Sequence, residues 1–391
     1  MGQDGSVVDP FQSARLGPLM LRNRFLKAAT FEGMADSGLV TDRLIEFHRT
    51  VAAGGAALTT LAYLSVSEDG RGAPNEIVVR PEAAPGLRRL VETVHAEGAL
   101  ASAQIGHAGP VAAATGTRAL TPSRIFSPVS VRFTRAASDT DIQRVIKDFA
   151  QAAAIVRDAG FDAVEVHLGH GYLLSSFLSP DTNRRNDEWG GSLAARAELP
   201  RRVLSAVREA VGPHCAVLAK LNMNDGTPGG LLEPESLAVA QMLEREGTVD
   251  ALVLTGGSSF RNPMYLLRGD VPLRELAANF PLHIRSGMRL FGKRFLRNYA
   301  FEEGFFLQQA EQFRAALSLP LVALGGVNRL DTVQRALDDG FEFVALGRAL
   351  LHEPGLINRW QQGNSTPGAC THCNRCMPTI YSGTHCPLAL Q

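Results

Sequence analysis

The sequence predicts a single (β/α)8 barrel, and three observations predict it. Eight short apolar runs are separated by longer segments whose apolar residues recur every three or four positions. Most of those longer segments stop on glycine, and the stretches that break the alternation fall where a run hands over to its helix. Strict alternation of strand and helix implies parallel strands, and eight such units can close on themselves.

The apolar runs are 25–29, 57–64, 100–105, 163–168, 217–221, 251–254, 321–324 and 343–346. Helical periodicity, the mark of a helix packed on one side of a sheet, covers 42–53, 86–97, 141–159, 194–211, 235–246, 308–317 and 331–339. Gly98, Gly160, Gly212, Gly247 and Gly340 follow or close these segments, and glycine accepts the left-handed conformation that ends a helix. A doubly wound open sheet is the competing fold, but its dinucleotide fingerprint after the first strand is missing. Residues 110–139, 180–192 and 257–300 are loops or insertions rich in Pro, Gly, Arg and Ser, placed on what would be the catalytic face. The expected division is a barrel over 1–360 and a cysteine-rich C-terminal extension over 361–391.

With 391 residues, 45% apolar and 20% charged, the chain has material for one large core. Basic and acidic residues balance at 39 each, so no net field draws it to nucleic acid or an anionic membrane, and a small molecule is the expected partner. The first ten residues lack the apolar run of a secretory signal, and no later stretch suits a bilayer, so a cytoplasmic protein is expected. Gly2 with Ser6 matches a myristoylation spacing, a pattern short enough to arise by chance. A homo-oligomer is expected.

The chemistry concentrates in Val164-Glu165-Val166-His167-Leu168-Gly169-His170-Gly171-Tyr172, which runs on to Asn183-Arg184-Arg185-Asn186-Asp187-Glu188-Trp189-Gly190-Gly191. His167 and His170 fall at the end of the fourth predicted strand, over the mouth of the barrel. Two neutral imidazoles there could each donate a hydrogen bond to one substrate oxygen. A metal reading of the pair is weaker, since no helical glutamate lies between them and no third ligand follows.

This stretch resembles the signature of the old yellow enzyme family of flavin-dependent ene-reductases, and the likeness extends over roughly residues 8–360. The resemblance implies that His167 and His170 hold the carbonyl oxygen of an α,β-unsaturated substrate while Tyr172 protonates the neighbouring carbon. Hydride addition pushes negative charge onto that oxygen, and fixed donors stabilise charge as it develops. It also implies bound FMN, with NADH or NADPH as co-substrate. The backbone of Ala28, Ala29 and Thr30 would border the flavin ring, as would Ala62; Gln104 would meet its pyrimidine edge, and Lys220 would sit near N1. Gly325 and Gly326 after the seventh strand, with Gly347 and Arg348 after the eighth, resemble the barrel phosphate site. One departure is visible. The family carries Thr or Cys beside the reactive edge of the flavin, where a gapless comparison puts Phe31 and leaves Thr30 one step early.

Four of the five cysteines crowd the tail as Cys370, Cys373, Cys376 and Cys386, a C-x2-C-x2-C-x9-C pattern. Three close thiolates and a fourth from further along can grip one inorganic centre. The pattern is similar to the cluster loop of the 2,4-dienoyl-CoA reductases and trimethylamine dehydrogenase, with a shorter final spacing, and implies a 4Fe-4S cluster, which would allow a redox partner protein beside or instead of NAD(P)H. Zinc and four free thiols are the alternatives. Those relatives continue into nucleotide-binding domains, whereas this sequence stops at Gln391. Two other functions compete with ene-reduction: a cluster-containing reductase or amine dehydrogenase, and an electron carrier without turnover, which would need no proton donor. The segment 258–299, with Arg261, Tyr265, Arg268, Arg285 and Arg289, is expected to shape the substrate pocket.

Overall fold

A computed structural model describes residues 7–127, 132–279, 285, 292 and 296–389. Eight parallel strands close into a barrel: β1 (Phe25–Lys27), β2 (Leu58–Ser65), β3 (Leu100–Gly106), β4 (Ala163–Leu168), β5 (Ala216–Asn222), β6 (Ala251–Thr255), β7 (Leu321–Leu324) and β8 (Phe343–Leu346). Each pairs with its neighbour in chain order, and β8 pairs with β1 to complete the ring. The intervening helices are α1 (Asp42–Ala53), α2 (Ala84–Ala96), α3 (Asp139–Asp158), α4 (Leu193–Val211), α5 (Glu233–Glu246), α6 (Leu307–Ala316) and α7 (Leu330–Asp338). Every predicted strand and helix is present, with ends displaced by two residues or fewer.

Strand residues alternate between two layers because their side chains point to opposite faces. On β4, Val164, Val166 and Leu168 join the helix-packing core, while Ala163 belongs to a separate cluster inside the barrel. On β5 the outer set is Val217, Ala219 and Leu221, and the inner set begins with Ala216 and Leu218. Continuing the inner parity upward gives Glu165 and His167 on β4, and Lys220 and Asn222 on β5. The barrel interior is therefore apolar at its N-terminal end and polar at its C-terminal end.

A short antiparallel hairpin, Ala14–Leu16 with Leu19–Leu21, packs Leu16 and Leu21 into the apolar inner cluster. That plug closes the N-terminal end and leaves the C-terminal mouth as the route for a ligand. Tail residues 365–389 fold back over this mouth. Thr384 donates its backbone N–H to the carbonyl of Glu32 at 2.7 Å, and Asn75 donates to the carbonyl of Ile380 at 2.8 Å. Asn328 donates to the carbonyl of Gly368 at 2.6 Å, and Asn374 to the carbonyls of Arg268 and Asp270 at 3.0 Å each. No helix among the described residues is long and apolar enough to cross a membrane.

Candidate active site at the barrel mouth

Period-two geometry brings Gln104, Glu165 and Lys220 together, since Glu165 lies beside Gln104 in the β3–β4 register and one residue pair below His167 and Lys220 in the β4–β5 register. The Gln104 amide donates to Glu165 Oε1 at 2.6 Å, and Lys220 Nζ lies 2.9 Å from the same oxygen. All three are buried. Glu165 answers the Lys220 charge from within an apolar run, and sequence reasoning passed over it. Two ammonium protons of Lys220 and the amide oxygen of Gln104 keep no partner among the described residues. Such free donors and an acceptor, side by side and buried, fit the mixed edge of a flavin pyrimidine.

His167 and His170 are adjacent, with His170 Nδ1 3.2 Å from His167 Nε2. Their tautomers follow from the surrounding bonds. Gly169 N–H donates to His167 Nδ1 at 3.0 Å, so the proton of neutral His167 sits on Nε2 and points to His170 Nδ1. His170 Nε2–H then donates to Thr255 Oγ1 at 3.0 Å. Burial holds both rings neutral: His167 titrates well below its ordinary range, helped by His170 and Lys220, and His170 is pushed down to about 3 by burial and then by Lys220. The two imidazoles thus form one chain ending on Thr255, and a substrate oxygen must compete for these N–H groups. Thr255, at the end of β6, is a partner the spacing of the histidines did not disclose.

Tyr172 stacks on His167 with ring centroids 4.6 Å apart, and Tyr63 meets Tyr172 edge-on at 5.3 Å. Above them Val111, Ile125 and Phe260 form an apolar wall against which Tyr172 packs. Arg261 closes the rim, stacked on Phe260 and paired with Asp181 at 2.9 Å. The Tyr63 hydroxyl is buried and without a partner among the described residues. Glu76, almost fully buried nearby, is pushed up to about 8 by desolvation against two backbone N–H groups that favour its anion.

Other sequence-derived residues fall around this centre. Ala28 and Ala62 have the inward parity expected of a flavin border; Ala28 still donates to the carbonyl of Leu346 at 2.8 Å. Ala29 follows it, partly exposed, and the Thr30 hydroxyl lies 3.5 Å from Glu32 Oε1. Glu32 fixes the Ala62 N–H at 2.7 Å and pairs with buried Lys27, an arrangement not foreseen. Gly325 and Gly326 have positive φ of 118° and 70°, and a Cβ on either would strike Phe306 or Phe305. Gly347 precedes Arg348, whose guanidinium donates to the carbonyl of Arg268 at 3.0 Å and to the side-chain oxygen of Asn374. From the expected pocket segment, Tyr265 and Arg268 contact one another, with the Arg268 guanidinium 5.4 Å from the Tyr265 ring, and Arg285 donates to the carbonyl of Ala278 at 2.7 Å. Arg289, Gly2 and Ser6 lie outside the described residues.

Cys370, Cys373, Cys376 and Cys386 all line one small pocket, beside Arg348 and His352. As they stand, no group of three or more His, Cys, Asp or Glu side chains among the described residues is placed to hold a metal ion.

Residues 9–255 match the NADH:flavin oxidoreductase / NADH oxidase family. The chain belongs to this family. Within it, the chain is 55% identical over 378 residues to the 4,4'-dithiodibutanoate disulfide reductase of Rhodococcus erythropolis, covering 96% of this chain and 94% of that protein. The flavin oxidoreductase fold is shared with the old yellow enzyme homologue of Zymomonas mobilis at a TM-score of 0.73 and 22% identity, covering 97% of this chain and 98% of that one. It is also shared with 2-naphthoyl-CoA reductase in complex with 2-naphthoyl-CoA, at a TM-score of 0.82 and 24% identity, covering 96% of this chain and 56% of that one. The chain spans about half the length of several other curated relatives, 52% in three of them. The family match and a fold shared with an old yellow enzyme homologue agree with the resemblance read from the sequence.

Proposed function

We propose that this chain is an FMN-dependent reductase that takes reducing equivalents from NAD(P)H and delivers them to a small electrophile bound beside Tyr172 and the histidine pair. The observation that carries the reading is the stack of Tyr172 on a buried, neutral histidine pair directly above the Gln104–Glu165–Lys220 group. FMN, when bound, supplies the hydride relay between the two substrates. Gln104 and Lys220 would hold its pyrimidine edge, Ala28, Ala29, Thr30 and Ala62 would border its ring, and Gly325, Gly326, Gly347 and Arg348 would meet its phosphate. His167 and His170 orient the electrophile and stabilise negative charge on its oxygen. Tyr172, whose hydroxyl has no partner among the described residues, holds the proton to be delivered.

An activated C=C bond conjugated to a carbonyl suits these donors. A second substrate class, small organic disulfides, is favoured by the 55% identity to a disulfide reductase over nearly the whole chain. The deciding experiment is anaerobic: holoenzyme is reduced with NADPH or NADH, then mixed with a panel of cyclic enones and a panel of alkyl disulfides while flavin reoxidation is followed. Fast reoxidation by one panel assigns the electrophile. Reduction by NAD(P)H with no reoxidation by either panel would overturn the reading and favour an electron carrier.

We also infer that the four tail cysteines hold a 4Fe-4S cluster. What supports it is that four thiols, separated by up to 16 positions, are gathered around a single pocket. A cluster spreads its ligands around a cube, whereas zinc draws all four sulfurs to about 2.3 Å from one point. Iron and sulfide analysis after anaerobic purification decides between them: about four irons per chain are expected, and stoichiometric zinc would reject the cluster.

A further inference from the structure

Arg348 and His352 stand four residues apart on the short helix after β8, so they share one of its faces. Both line the pocket of the four cysteines. Arg348 reaches into the cysteine loop itself, donating to the side-chain oxygen of Asn374, which lies between Cys373 and Cys376. Asn374 is almost wholly buried and is held in turn by its amide donations to the carbonyls of Arg268 and Asp270. His352 Nδ1 lies 3.4 Å from Cys386 Sγ.

The guanidinium is short of counter-charge. Its acceptors are a backbone carbonyl and an amide oxygen, and no carboxylate among the described residues pairs with it. Burial disfavours its charge first of all, and Cys370, Cys376 and Cys373, when thiolates, oppose that effect. Removing a cation from water without an anion is costly. Two anions would answer that charge, the flavin phosphate proposed above and a centre ligated by four thiolates, and the negative charge of the second grows by one unit on reduction.

We propose that Arg348 and His352 set the reduction potential of the centre held by the four cysteines. The fixed positive charge of Arg348 and an N–H···S bond from His352 Nδ1 to Cys386 both favour the more negative, reduced state, and so raise the potential. No proton is exchanged in this step: one electron enters the centre, and the two side chains stabilise the added charge. The assignment rests on the cluster reading above. It makes both residues positioning groups for the electron, acting through charge and hydrogen bonding.

The test is an EPR-monitored redox titration of the full-length, anaerobically purified protein, with iron and flavin content measured on each sample. His352→Leu and Arg348→Gln should each shift the one-electron equilibrium towards the oxidised centre by about tenfold, a fall of about 59 mV. His352→Gln, which keeps an N–H donor, and Arg348→Lys, which keeps the charge, should recover most of the loss. Iron-loaded His352→Leu and Arg348→Gln proteins with wild-type potentials would overturn the proposal. If Arg348→Gln fails to load iron, the His352 pair decides alone. Wild-type protein that carries no iron would instead remove the cluster reading on which the proposal stands.

Discussion

Tyr172 owes its place to two neighbours, His167 below and the apolar wall of Phe260 above, and burial pushes its phenol well above the ordinary range. A phenol so held stays protonated and can give its proton only to a strongly basic site developing beside it. Tyr172→Phe is therefore expected to slow electrophile reduction by about a hundredfold while flavin reduction by NAD(P)H stays near normal; stopped-flow measurement of both half-reactions checks this, and equal losses in both would contradict it. Glu76 makes a separate prediction. Its proton is retained up to about 8, against 4.5 for an ordinary glutamate. Across that window the native chain binds a proton that the unfolded chain releases, so native stability falls as pH rises from about 4.5 to 8 and levels off above. Glu76→Gln should remove this slope, a difference of a few kcal/mol over the window. Urea midpoints of both proteins between pH 4.5 and 8 should diverge; parallel curves would show that Glu76 ionises normally. His167, His170 and Tyr172 were legible as a constellation because they sit within six positions of one another. Their tautomers were not, because the chain of bonds that Gly169 starts beside His167 ends on Thr255, on another strand.

At the level of elements, helix ends and strand ends carry the function. Gly247 ends α5 in the left-handed region at φ 62°, with nothing within 4 Å of where a Cβ would sit. Gly247→Ala should consequently destabilise the fold by about 1 kcal/mol through backbone strain alone, measurable as a lower urea midpoint with unchanged m. A neutral outcome would mean that the helix end relaxes. The junction of β8 with the helix Arg348–His352 makes a sharper prediction. Arg348→Ala should release FMN on dialysis if the guanidinium turns towards the phosphate when flavin is bound. Flavin and metal content per chain check this, and full flavin retention would move the phosphate site elsewhere. The strand–helix order was plain in the sequence, since periodicity and glycine stops are local. Lys27 and Glu32 were not recognised as a pair, because Lys27 lies on the outer face of β1 and meets Glu32 only where the chain doubles back.

For the molecule as a whole, the tail matters through where it docks. Its residues bond to the loops after β1, β2, β6 and β7, and Arg43 of α1 donates to the carbonyl of Ser382 at 2.8 Å. Removing 362–391 should accordingly lower Tm and reduce flavin content together, read by calorimetry and by absorbance after dialysis; a truncated protein with full flavin would show the tail to be dispensable for the mouth. The sequence by itself determined the barrel, its strand boundaries, the histidine–tyrosine group and the crowding of four thiols. These rest on local periodicity, residue conformational preference and short spacing. Only the tertiary structure decided that Glu165 gathers Gln104 and Lys220, that Tyr63 and Glu76 stand beside Tyr172, and that Arg348 and His352 face the cysteines. Those partners lie far apart in the chain, and it is closure of the barrel and burial away from water that bring them into contact.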